Sequence, residues 1–100
     1  MNKRKEIADP PCIIVVAPED FLKQPFGMEL KNCAQTLNTL LNRNDDSEQL
    51  LHCEAQWEIF HLAMLHFYGV EISLERTDEY YGIRAKTATE TVWLFKAQQE

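Results

Sequence analysis

Apolar residues follow a helical period most clearly at residues 48–68, where they occupy two faces of one predicted helix. The aromatic-rich face consists of Leu50, Cys53, Trp57, Phe60, Met64 and Phe67, and the aliphatic face consists of Leu51, Ala55, Ile59 and Leu62. Gly69 follows the segment, at the position where a left-handed glycine commonly ends a helix. A helix that is apolar on nearly all sides is typical of a buried helix, so we expect this segment to be central to the fold.

A second helix is predicted at residues 28–42, and it has a single apolar stripe. The stripe consists of Leu30, Cys33, Ala34, Leu37, Leu40 and Leu41, which fall within an arc of about 120° on a helix. The opposite face is polar, almost uncharged and expected to face water; it holds Asn32, Gln35, Thr36, Asn38, Thr39 and Asn42. Residues 43–47 are predicted to form a loop. Either Asp46 or Ser47 is expected to cap the following helix, because short polar side chains accept hydrogen bonds from its free N–H groups.

Strict alternation of apolar and polar residues predicts a β-hairpin at residues 70–86. A turn centred on Asp78 and Glu79 would bring the apolar positions of the two strands together on one face. This register pairs Leu74 with Ile83, Ile72 with Ala85, Ser73 with Arg84 and Glu71 with Lys86. Both the apolar match and the charge match favour it over its alternatives.

Two further segments have the composition of strands. Residues 12–16 are a β-branched run after Pro10 and Pro11, which predicts a strand buried on both faces. Residues 91–95 favour a third strand after the helices, in which Trp93 and Phe95 would lie on the sheet face opposite Val92 and Leu94. Thr87 and Glu90 also match the capping box of a C-terminal helix, so residues 88–99 stay open between strand and helix.

The order of elements is therefore β-α-α-β-β-β, with one helical turn predicted at residues 18–22 and ended by Pro25. This order predicts a two-layer α+β fold, with one mixed or antiparallel sheet and two helices packed on it. With 100 residues, the chain has the size of a single domain. Residues 1–9 are polar and expected to be flexible.

Composition narrows the classes of function. The net charge of −6 makes nucleic-acid binding an unfavoured function, because phosphate affinity requires clustered Lys and Arg. The three cysteines have no paired spacing, which argues against a disulfide framework or a zinc site and indicates reduced thiols in the cytoplasm. The longest apolar run, at residues 12–17, is too short to cross a membrane, so no membrane association is expected.

Glu54, Glu58 and His61 are the candidate catalytic residues, since their spacing places them on one side of the predicted helix. They could serve acid–base chemistry or provide half of a metal site, although a charged seam on a partly exposed helix is the more common meaning of such spacing. His52, His61 and His66 do not share a face, and no glycine-rich or nucleophile motif accompanies them. No metal and no cofactor are predicted.

The aliphatic face of the helix at 48–68 is the most informative feature for function. It either packs on Leu30, Leu37 and Leu41 of the preceding helix or contacts a second copy of the chain. The first hypothesis is a non-enzymatic cytosolic protein that binds another protein, with self-association into a homodimer as the form expected. Its predicted interface consists of Leu51, Ala55, Ile59, Leu62, Trp93 and Phe95.

Two alternative functions follow from the same sequence. One is a small ligand-binding domain or enzyme with a pocket between the helix at 48–68 and the sheet, which would use Glu58 and His61. The other is an acidic inhibitor that imitates nucleic acid, which requires carboxylates clustered on one face.

Overall fold

The computed structural model describes residues 18–44 and 47–99. In these ranges the elements are α1 (Pro18–Phe21), α2 (Pro25–Asn42), α3 (Glu48–Tyr68), β1 (Glu71–Arg76), β2 (Tyr80–Lys86) and β3 (Thr91–Gln98). The strands form an antiparallel sheet in the order β1-β2-β3. The protein has a small α+β fold with helices packed on a sheet, as predicted. The strand predicted at 12–16, the flexible segment predicted at 1–9 and Asp46 lie outside the described residues.

The local chemistry of the chain accounts for the helix ends. α2 begins at Pro25 and not at residue 28, because proline has no N–H to leave unbonded in the first helical turn. Ser47 occupies the N-cap position of α3, and its carbonyl accepts hydrogen bonds from the amides of Leu50 and Leu51. Gly69 ends α3 with φ of 66°, and the Val70 amide bonds back to the carbonyl of Met64. The predicted left-handed glycine end is thus confirmed.

The register predicted for the β1–β2 hairpin is confirmed at all four residue pairs. The C-terminal segment is a strand, and the capping-box sequence at Thr87 forms the β2–β3 turn instead of a helix start. There the Thr87 hydroxyl accepts from the amides of Thr89 and Glu90 at 3.3 and 3.1 Å. Thr77 makes equivalent contacts in the β1–β2 turn, so the two turns are built alike.

A β-bulge in β3 changes the side-chain alternation expected there. Ile83 pairs with Phe95, and Arg84, the residue after Ile83, pairs with Trp93. Leu94 is the extra residue of the bulge and has no partner in the β2–β3 register. Phe95 consequently lies with Ile83 on the helix-covered face and packs against the core, whereas Trp93 lies with Arg84 on the outer face. The prediction that Trp93 and Phe95 share a face is wrong, because the extra residue reverses the alternation between them.

Among the described residues the hydrophobic core has two parts, and α3 contributes to both. The larger part lies between the helices and the sheet and consists of Phe21, Leu30, Ala34, Met64, Val70, Ile72, Ile83, Ala85 and Leu94. The smaller part lies between α2 and α3 and consists of Cys33, Leu37, Leu40 and Cys53. Trp57 and Phe60 of α3 pack against both, so one face of α3 joins the two parts.

Candidate functional site

The aromatic-rich face of α3 is the face that packs against the rest of the protein. Cys53 and Met64 are buried, and Trp57 and Phe60 are partly buried beside them. Near the end of the helix Tyr68 packs against the core, whereas Phe67, predicted to belong to this face, is exposed. The core face of α3 is therefore rotated slightly from the predicted one at its C-terminal end.

The aliphatic face of α3 points away from the core and is uncovered by the described residues. Leu51, Ile59 and Leu62 are 64%, 65% and 55% exposed, and Leu65, which sequence reasoning omitted, is 48% exposed. Ala55 is exposed between them. We call these five residues the outer stripe. They share one side of the helix at 100° per residue, so the position of Leu65 three residues after Leu62 was a signal available in the sequence.

The alternative in which α2 covers the aliphatic face is wrong. Leu37 of α2 packs with Cys53, on the core face of α3, and Leu30 is buried in the larger core. Leu41 likewise packs against the smaller core. The apolar stripe of α2 thus packs on the core face of α3 and on the sheet, and it does not cover the outer stripe.

Ionisable residues lie both beside and within the outer stripe. On one side, the His61 imidazole nitrogen Nδ1 lies 3.8 Å from a carboxylate oxygen of Glu58, and Glu54 is exposed one turn earlier. On the other side His52 and His66 are exposed. The three candidate catalytic residues thus lie within or beside the outer stripe, where exposed ion pairs typically contribute less than about 1 kcal/mol.

Five clefts of the described surface lie away from Glu58 and His61. Their volumes are 270, 360, 340, 220 and 350 Å³, and neither Glu58 nor His61 lines any of these five. Within the described ranges, no group of three or more His, Cys, Asp or Glu side chains is placed to hold a metal ion. None of the helices in this part of the chain has the length and apolar character needed to cross a membrane.

Cys33 and Cys53 face each other between α2 and α3, which their separation in sequence did not indicate. Each thiol donates a weak hydrogen bond to the other residue's carbonyl oxygen, at 3.7 and 3.6 Å. Burial, together with the neighbouring Cys53 thiol, raises the pKa of Cys33 to about 12. A thiol with so high a pKa is a poor nucleophile, so this pair serves packing better than chemistry.

A polar network joins α2 to the C-terminal end of the sheet, and sequence reasoning missed it. Buried Asn38 accepts hydrogen bonds from Arg76 Nε at 2.9 Å and from Gln99 Nε2 at 3.1 Å. Gln99 in turn accepts from the amide nitrogens of Asn38 and Asn42, both at 2.9 Å. The expectation that Asn38 faces water is therefore wrong, because its long-range partners, Arg76 and Gln99, satisfy its amide inside the fold.

Trp93 is covered by neighbours on its own sheet face. The Arg84 guanidinium lies 4.7 Å and the Lys96 ammonium 5.1 Å from the centre of a Trp93 ring, and Tyr80 packs edge-on against it at 5.7 Å. These cation–π contacts give the indole partners within the chain. The carboxylates of this face alternate with cations, since Glu75 lies 4.0 Å from Arg84 and Glu71 pairs with Lys86.

The chain matches no known protein family, no curated protein and no solved structure. The outer stripe holds four of the six large apolar side chains that are exposed among the described residues.

Proposed function

We propose that the chain is a non-enzymatic cytosolic protein that acts by binding protein, and that it self-associates through the outer stripe of α3. The observation that carries the proposal is the exposure of Leu51, Ile59, Leu62 and Leu65 along one helix face. Single exposed apolar residues are ordinary on protein surfaces, but contiguous apolar patches are typical of interaction sites. The pair of free, buried thiols at Cys33 and Cys53 supports the cytosolic part of the proposal.

The size of the stripe is suitable for a helix-mediated contact. From Leu51 to Leu65 it extends about 21 Å, at 1.5 Å per residue. Completing the burial of a half-exposed leucine or isoleucine contributes roughly 1 kcal/mol, so the four large side chains supply a favourable core for association. A specific interface buries about 800 Å² on each partner, and the ionisable residues beside the stripe would form its polar rim.

The proposal is tested by the mass of the protein in solution. We expect sedimentation equilibrium of the wild type at micromolar concentration to give the mass of a dimer. Leu62→Glu should give a monomer with an unchanged circular dichroism spectrum, because residue 62 is outside the core and a charge there disrupts only the contact. Met28→Glu is the matched control, since Met28 is 51% exposed on α2, and it should remain dimeric.

Two results contradict the proposal. A wild-type protein that is strictly monomeric at micromolar concentration contradicts self-association. A dimer of the same strength in Leu62→Glu and in the wild type places the contact away from the outer stripe.

A further inference from the structure

Four of the five residues of the outer stripe are arranged nearly symmetrically about Glu58, and Ile59 lies next to the centre. Leu51 and Leu65 lie seven residues before and after Glu58, and Ala55 and Leu62 lie three before and four after it. A helix that meets a reversed copy of itself therefore places Leu51 near Leu65 of the second copy, and Ala55 near Leu62. Such reciprocity is what a two-fold symmetric interface requires, because each contact between residues i and j occurs twice.

The ionisable residues of the rim show the same reversed complementarity. On one side of the stripe, Glu54 and His61 lie four residues before and three residues after Glu58. On the other side, Glu48 and His66 lie ten residues before and eight residues after it. When two helices pair in antiparallel orientation, each side of one helix meets the same side of the other. A carboxylate would then meet an imidazole on both sides of the interface.

We propose that the partner of the outer stripe is a second copy of this chain, with the two α3 helices antiparallel and the two-fold axis beside Glu58. The inference rests on the proposed function, and it adds the relative orientation of the two copies and the residue pairs. In this arrangement the small side chain of Ala55 receives the large side chain of Leu62 from the second copy. The core face of each α3 points away from the contact, so the two sheets lie on the far sides and do not collide.

A parallel arrangement uses the same stripe less well. Each residue would then meet its own counterpart, and Ala55 opposite Ala55 would leave a gap between the leucine layers, which costs contact energy. The filling of volume therefore favours the antiparallel pair.

Disulfide trapping distinguishes the two orientations. Single cysteines are introduced as Glu58→Cys, Leu51→Cys and Leu65→Cys in a Cys12→Ser background. Each protein is oxidised with diamide, blocked with N-ethylmaleimide and run on a non-reducing gel. In the antiparallel dimer two copies of residue 58 lie beside the axis, whereas two copies of residue 51 lie about 21 Å apart. We expect covalent dimers from Glu58→Cys alone and from a mixture of Leu51→Cys with Leu65→Cys. Leu51→Cys alone and Leu65→Cys alone should give none.

The controls separate the orientation from the proposed function. If Leu51→Cys forms a covalent dimer with itself as efficiently as Glu58→Cys does, the antiparallel orientation is overturned. Self-association through the stripe would then still stand. Strictly monomeric wild type, as would follow if residues 1–17 of the same chain occupied the stripe, overturns both proposals. A wild-type dimer in which none of the three cysteines cross-links overturns the use of this face.

A charge series provides a second, non-covalent readout. Two copies of Glu58 lie near each other at the axis, so Glu58→Gln should tighten the dimer by about two- to five-fold, and Glu54→Gln should weaken it by a similar factor. Glu71→Gln on β1 makes the same change in net charge away from α3 and should leave the dissociation constant unchanged. Equal effects of all three substitutions overturn the antiparallel pairing.

Discussion

Cys33 and Cys53 show how burial decides what a residue does in this protein. Their reciprocal hydrogen bonds to backbone carbonyls hold α2 against α3 at the level of the smaller core. Because the surroundings are apolar and a second thiol is close by, the pKa of Cys33 is raised to about 12 from an ordinary value of 9.0. The neutral thiol is the form that the folded protein stabilises.

The raised pKa of Cys33 predicts a loss of stability in alkaline solution. The thiol contribution is fully present below pH 9.0 and is lost as the pH rises toward about 12, because the unfolded chain releases the proton first. We expect the unfolding free energy of the wild type to fall more steeply above pH 9 than that of Cys33→Ala, by at most about 1.4 kcal/mol per pH unit. Urea titrations of both proteins from pH 8 to about pH 10.5 measure this. Parallel pH profiles for the two proteins would contradict it.

At the scale of elements, the sequence predicted those features that depend on residues close together in the chain. The bounds of α3 and the register of the β1–β2 hairpin follow from local periodicity and turn chemistry, and both are confirmed. The position of Phe95 could not be predicted, because the bulge at Leu94 is set by the pairing with β2 and not by composition. The burial of Asn38 could not be predicted either, because its partners Arg76 and Gln99 are distant in sequence.

The same limit applies to the candidate site. The aliphatic face of α3 was predicted residue by residue, but its exposure depends on which face α2 and the sheet occupy. Leu37 could pack on either side of α3 as far as periodicity shows, and its contact with Cys53 decides the matter. A two-faced helix is thus recognisable from sequence, whereas the choice of which face is left outside is a tertiary property.

Gly82 provides a test of the bulged β2–β3 pairing. A Cβ atom at residue 82 would lie 2.1 Å from the carbonyl oxygen of Phe95 and 2.9 Å from the Cα of Lys96, and backbone atoms cannot rotate away. Gly82→Ala should therefore lower the unfolding free energy by about 1–3 kcal/mol or more, through overpacking. Ser73→Ala, at an exposed position of β1, is the control and should change it by less than about 0.5 kcal/mol. Urea denaturation measures both, and equal stabilities would show that β3 does not approach Gly82 so closely.

At the scale of the whole molecule, one face of α3 packs on the core and the opposite face carries the outer stripe. Its core face holds both parts of the hydrophobic core, so the helix cannot turn to hide the outer stripe without leaving Trp57, Phe60 and Met64. The orientation of the outer stripe away from the core is therefore a fixed property of the described part of the fold. The proposed association of two copies would cover its side chains without breaking a core contact.

Coupling between folding and association predicts that thermal stability depends on protein concentration. A dimer gains about 1.4 kcal/mol in apparent stability for each tenfold rise in concentration, which for the roughly 160 described residues of two copies raises the Tm by about 4 °C. We expect this shift for the wild type and for Met28→Glu, and no shift for Leu62→Glu, in scans monitored by circular dichroism. The comparison is informative because Leu62→Glu removes the outer contact and leaves the core intact. A concentration-independent Tm for all three proteins would mean that the outer stripe stays uncovered by a second copy, and the functional proposal would fail with it.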